Sequence, residues 1–237
     1  MKLYPFHPLH PCSFSLREGV GDERGPAGEQ WVLFFLYYNN LMCTVLTSRF
    51  EEALVYANRL HARQRRKGAD IPYVSHLLGV CSLVLEYGGG EDEAIAALLH
   101  DAVEDQGGKA TLEEIRLRFG EEVAAIVSGC SDSDSIPKPP WRERKEGYIA
   151  HLTEAAPAVR LVSMADKLHN TRAVLMDYRQ QGEALWGCFS GGRAGTLWYF
   201  RAVLEAFKSA EHSPLVAELE RAVVELERVT RKTEKLE

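Results

Sequence analysis

From residue 48 onward, apolar positions recur every three or four residues, the period of an amphipathic helix. Phe50, Leu54, Ala57 and His61 form the first stripe. It predicts a helix over about 48–65, opened by the capping box Ser48-Arg-Phe-Glu51. The loop Lys67-Gly-Ala-Asp-Ile-Pro-Tyr73 follows. A second helix is expected from about His76 to the Gly88-Gly-Gly90 stop. A third is expected over Glu91 to Glu104, with acidic residues in its first turn, where the helix dipole favours them. Thr111-Leu-Glu-Glu114 reads as another capping box, for a short helix stopping at Phe119-Gly120. Further helices are predicted over 121–130, 141–152, 157–179 and 195–210. The last starts at Ser213-Pro214, where serine supplies the cap and proline the first turn.

No stretch alternates with period two for long enough to be a strand, and no internal repeat is visible. The expected fold class is therefore all-α, a bundle of about eight helices. The chain divides into an extension over 1–47, a helical domain over 48–210 and a C-terminal helix over 211–237. The extension is rich in turn residues, among them Pro5, Pro8, Pro11 and Gly25-Pro26. Its apolar run Trp31–Tyr38 is far shorter than the roughly 20 residues a spanning helix needs. Charges of both signs from Arg17 to Glu29 precede it, unlike a signal peptide. No membrane association is expected.

With 237 residues, 46% of them hydrophobic and 26% charged, the chain can bury a large core. A net charge of -6 argues against binding nucleic acid through phosphate neutralisation. A small anionic ligand stays open if local cations or a metal receive it. The five cysteines include no Cys-x-x-Cys pair, which fits a reducing cytoplasm. Cys81, Cys130 and Cys188 are expected as small buried residues. No glycine-rich phosphate loop follows a strand, so a dinucleotide fold or a P-loop enzyme is not expected.

The chemistry concentrates in Leu98-Leu-His-Asp-Ala-Val-Glu-Asp105. On one helix, His100 and Glu104 stand four apart, as do Asp101 and Asp105, so each pair shares a face. Asp101 follows directly on an apolar run, and a buried carboxylate needs a partner, a cation or a metal. Asp166 and Asn170 share a face of a second apolar segment, and His76 follows Pro72-Tyr73. Together, His76, His100, Asp101 and Asp166 make a mixed imidazole and carboxylate set. It suits manganese, iron or another borderline divalent ion. Glu104 and Asp105, a turn further on, are placed to act as general base or acid.

The order His, His-Asp, Asp on helices resembles the HD superfamily of metal-dependent phosphohydrolases. The blocks Gln64-Arg-Arg-Lys67, Pro72-Tyr-Val-Ser-His76, Leu98–Asp105, Trp141-x-x-Arg144-Lys145-x-x-Tyr148 and Leu161–Asn170 resemble the hydrolase domain of RelA/SpoT homologues over about 48–208. The resemblance implies a stand-alone, manganese-dependent hydrolase removing the 3′ pyrophosphate of guanosine tetra- or pentaphosphate. It implies His76, His100, Asp101 and Asp166 as metal ligands, and Glu104 and Asp105 serving the attacking water. It places Arg66 and Lys67 at the base and Asn170 at the ribose. A partner synthetase activity is not expected. Lys138, Arg142, Arg144 and Lys145 are candidates for substrate phosphates. Arg193 and Tyr199 fall where the family closes its pocket, and His61 and His169 are expected in supporting roles. Two alternatives remain open: an HD phosphohydrolase acting on a nucleoside monophosphate or the 2′-phosphate of NADPH, and a catalytically silent nucleotide-binding module. The second lacks its expected sign, a lost ligand or a lost Glu-Asp pair.

Overall fold

After the acidic first turn of the helix Glu91–Leu99, the stretch Ala94–Leu99 is apolar on every side, and each of its residues is wholly excluded from solvent. A helix hydrophobic all round belongs inside a core, not on its surface. The computed structural model, which describes residues 44–132 and 138–233, builds the fold around this helix. Most of the extension expected over 1–47 therefore lies outside the described residues, as does part of the loop expected at 131–140.

In chain order the α-helices among the described residues are α1 (Ser48–Leu60), α2 (Val74–Glu86), α3 (Glu91–Leu99), α4 (Ala102–Gln106), α5 (Lys109–Phe119), α6 (Glu121–Cys130), α7 (Trp141–Leu152), α8 (Pro157–Gln181), α9 (Gly192–Ala210) and α10 (Pro214–Thr233). A 3₁₀ turn, Gly182–Cys188, joins α8 to α9. No strand occurs among the described residues, and the all-α expectation holds. Helix α3 packs against α1, α2, α6 and α8. The long α8 is buried through Val162–Leu168 and packs against α2, α6 and α10. Helix α10 lies along α8 and α9, capped by the Ser213 hydroxyl, which accepts from the Val216 amide at 3.3 Å.

Four local expectations change. The third helix does not run to Glu104. It stops at Leu99, where the His100 ring donates to the Ala97 carbonyl at 2.8 Å, and a separate turn restarts after Asp101. Helix α1 is capped by Thr47, not Ser48. The Thr47 hydroxyl accepts from the Arg49 amide at 3.2 Å, while its own amide donates to Glu91 at 2.5 Å, the role expected of Glu51. Arg49 then ties this start to Glu91, Asp92 and the Phe119 carbonyl. Helix α1 also ends early, at Leu60, because residues 64–73 close a narrow loop: the Arg66 amide donates to the Ile71 carbonyl at 2.9 Å and the Tyr73 amide to Gln64 at 3.0 Å. Finally, α5 begins at Lys109. Gly107 and Gly108 adopt positive φ and turn the chain early, so Thr111 lies inside the helix and not at its cap.

If the core is organised around α3, Leu98→Ala should cost about 2–5 kcal/mol through lost burial and a residual cavity. Leu117→Ala, at a position 86% exposed, should change stability by less than about 0.5 kcal/mol. Thermal unfolding compares the two, and equal losses would contradict the packing described.

Candidate active site

The end of the buried helix α3 delivers His100 and Asp101 to a point where α2 and α8 converge. His76 comes from the first turn of α2, and Asp166 from the middle of α8. The Nε2 atom of His76 lies 3.2 Å from Asp166 Oδ1 and 3.5 Å from Asp101 Oδ2. The Nε2 of His100 lies 3.1 Å from Asp101 Oδ2 and 3.6 Å from Asp166 Oδ1. The four residues singled out in the sequence are thus brought to one point from three helices.

Both Nε2 atoms are buried and make no hydrogen bond of acceptable geometry among the described residues. Buried polar atoms are normally satisfied, so these two orphans, aimed at two carboxylates, fit an arrangement made for a cation. The donor set of two imidazoles and two carboxylates suits a divalent ion. The charges agree. Burial opposes ionisation of His100, yet Asp101 and Asp166 draw its pKa well above the usual histidine value. Burial likewise opposes ionisation of Asp101 and Asp166, yet His100 holds the first, and Lys167 with His100 the second, well below the usual carboxylate range.

A second layer fixes each of these groups. His100 donates through Nδ1 to the Ala97 carbonyl, which turns Nε2 toward Asp101 and Asp166. The Nδ1 atoms of His76 and His169 lie 2.9 Å apart. Burial and the neighbouring His76 lower the His169 pKa to about 4, and the two nitrogens are close enough for one ring to donate to the other. The expected supporting role of His169 has this form. Gly79 makes room for it: a Cβ there would stand 2.3 Å from the His169 ring. The Tyr73 hydroxyl donates to Asp101 at 2.5 Å. Asp166 is held by Lys167 and Asn170. The Lys167 ammonium lies 5.0 Å above the Tyr148 ring.

Asp101 and Asp166 of this cluster line a cleft of about 350 Å³, with His76 and His100 buried against them, and the cleft is large enough for a small ligand. Glu104 lines it, with Lys138 3.0 Å from its carboxylate. Burial, then the charge of Asp132, pushes the Glu104 carboxyl up. Asp105, at the rim, accepts from the Gln64 amide at 2.7 Å. Gln64 in turn is oriented by Gln106 and by His61, whose ring stacks on Tyr73. Arg66, Lys67, Asn170, Arg144 and Lys145 also line the cleft. Arg66 donates to Asn170 at 2.7 Å.

Several side chains at this site were not anticipated. Asp132 is almost fully buried and binds both Arg144, at 2.5 Å, and Lys145, at 2.6 Å. It aims two cations into the cleft, and nothing in its sequence surroundings marks it. Tyr73, Lys167 and Gln64 lay inside the motifs without a role assigned. Two candidates fall elsewhere. Arg142 stacks on Trp198 at 3.2 Å and pairs with Glu146, outside the cleft. Arg193 turns to the Thr230 carbonyl on α10, 2.9 Å away, whereas Tyr199 does line the cleft. Cys188 is exposed, against expectation, because it sits on the surface of the 3₁₀ turn.

Manganese added to the chain should raise its melting temperature through preferential binding to the folded state. Asp101→Ala should abolish that rise. His169→Ala should weaken metal affinity by about 10- to 100-fold, the usual weight of a group that orients a ligating histidine. Calorimetric titration reads the affinity, and an Asp101→Ala chain binding the ion as tightly as the parent would contradict the site.

Comparison with known proteins agrees with this geometry. A family model described as an HD domain matches residues 53–197. The chain is 42% identical over 124 residues to the guanosine-3′,5′-bis(diphosphate) 3′-pyrophosphohydrolase MESH1 of Xenopus tropicalis, and 39% identical over 124 residues to that of Homo sapiens. Each alignment takes in 51% of this chain and 66% of the relative, a little under two thirds of the relative's length. A solved structure reported as a metazoan ortholog of SpoT that hydrolyzes ppGpp superposes with a TM-score of 0.64 at 27% identity, covering 76% of this chain and 96% of the other. A second, from Listeria monocytogenes, gives a TM-score of 0.58 at 28% identity, covering 66% and 99%. With the matched segment spanning α2, α3, α4 and α8, which carry the His, His-Asp and Asp cluster, the chain belongs to the HD domain family.

Proposed function

We propose that this protein hydrolyses the 3′ pyrophosphate of guanosine tetra- or pentaphosphate, giving pyrophosphate and GDP or GTP. The observation that carries the reading is the meeting of His76 and His100 with Asp101 and Asp166, the two carboxylates that line a cleft whose walls hold further carboxylates and cations. The similarity to the MESH1 pyrophosphohydrolases and to the ppGpp-hydrolysing structure supports the choice of substrate.

His76, His100, Asp101 and Asp166 would hold the divalent ion, proposed here as manganese. When bound, it supplies polarisation of a phosphoryl oxygen and activation of water at neutral pH. The remaining work falls to the chain's own groups. Glu104, whose carboxyl is pushed up by burial and by Asp132, is a stronger base than an ordinary glutamate and takes a proton from the attacking water. Asp105, held by Gln64, fixes the direction of that water. Arg144 and Lys145, steadied by Asp132, meet the phosphoryl oxygens and offset the charge that builds on them. Water adds to the phosphorus next to the 3′ oxygen, the bond to that oxygen breaks, and a proton completes the ribose hydroxyl. Arg66 and Lys67, on the narrow loop after α1, face the nucleoside, and Asn170 faces the ribose.

Pyrophosphate release from guanosine tetraphosphate by the manganese-loaded chain tests the reading. Release should be rapid, fall to background in Asp101→Ala, and drop by about 100-fold or more in Glu104→Gln. Phosphate release from a nucleoside monophosphate or NADPH, with none from the tetraphosphate, would move the activity to another substrate.

A further inference from the structure

The cleft differs chemically from end to end. Near the metal ligands it carries Arg144, Lys145 and Lys167, which favour phosphate. Helix α8 runs away from this end, and Asp166, Asn170, Ala173, Val174 and Asp177 all line the cleft from it. Positions spaced by three and four residues share a helix face. Asp177 stands eleven positions beyond Asp166, about 16 Å further along the axis.

Asp177 is half-buried at this far end. Among the described residues it makes no hydrogen bond or ion pair, and the charge that acts on it is that of Arg66. A carboxylate here repels phosphate, so it sets the direction in which a nucleotide lies: phosphates toward the cations, base toward Asp177. The neighbouring walls, Ala173, Val174 and Phe189, are apolar and suit the flat faces of a base. The group wanted by a carboxylate is a pair of N–H donors side by side.

We propose that Asp177 is the specificity-determining residue for the base, its two oxygens accepting from the N1–H and 2-amino donors of guanine. Adenine presents an acceptor at N1 and no 2-amino group. A site built to accept from those donors rejects the base that lacks them, because its own polar group is left unmatched. Burial pushes the Asp177 carboxyl up, with Arg66 opposing, and a partly desolvated carboxylate gains more from a matched pair of donors. The assignment rests on the 3′-pyrophosphohydrolase reading above.

The test compares kcat/KM for guanosine and adenosine 3′,5′-bis(diphosphate), with the full manganese-loaded chain and its Asp177→Asn and Asp177→Ala variants. The parent should prefer the guanosine substrate. Both variants should lose that preference by about 10- to 100-fold, the weight of a charge-assisted hydrogen-bonded pair, with the change falling mainly on KM for the guanosine compound. A parent that cleaves both substrates equally well, or variants that keep the parent's ratio, would overturn the role of Asp177 and leave the pyrophosphohydrolase reading intact. A parent that cleaves neither would overturn both.

Discussion

Two carboxylates, Asp101 and Asp166, face two imidazole nitrogens in a space largely closed to water. Like charges that close, in low dielectric, cannot both stay ionised without positive charge beside them. Much of the surrounding structure answers that demand. Lys167 reaches Asp166 from the same helix, Tyr73 donates to Asp101, and the two histidine rings are turned by Ala97 and His169 so that Nε2 faces inward. A divalent ion meets the remaining demand more completely than any of these groups.

The hydrophobic core makes the convergence possible. Helix α3 is packed on all sides, so its C-terminal end is fixed in position, and His100 and Asp101 leave it at a break in the helix and not along a continuous face. That break turns Asp101 inward and Glu104 and Asp105 onto the wall and rim of the cleft. Helix α8 serves twice: its buried middle supplies Asp166 and Lys167, and the same face continues through Asn170 to Asp177 at the far end of the cleft. At Gly79 the approach of α2 to α8 leaves room for the His169 ring and for nothing larger than hydrogen.

Helical periodicity made the class of the fold legible, and Trp141–Leu152 and Glu121–Cys130 occur with the bounds their patterns predict. The break after Leu99 was not legible, because the apolar period runs through it and only the His100 side chain, bonding back to Ala97, ends the helix. The cap at Ser48 is displaced for a related reason. Local pairing of serine or threonine with glutamate cannot foresee Glu91, from a different helix, taking the backbone site at Thr47. The site was legible where residue type declares chemistry, as in His76, His100, Asp101 and Asp166. It was not legible where the role is set by a long-range contact. Asp132 looks like any acidic loop residue until Arg144 and Lys145 close on it, and Arg142, two positions before Arg144, faces Trp198 instead because of helical phase.

The central claim is that the four residues act as one metal centre. Crystals of the chain grown with manganese, measured at a wavelength where that ion scatters anomalously, test it most directly. The account predicts one strong peak coordinated by Nε2 of His76, Nε2 of His100 and the carboxylates of Asp101 and Asp166. A peak absent from that point, or held by Glu104 and Asp105 instead, would contradict it.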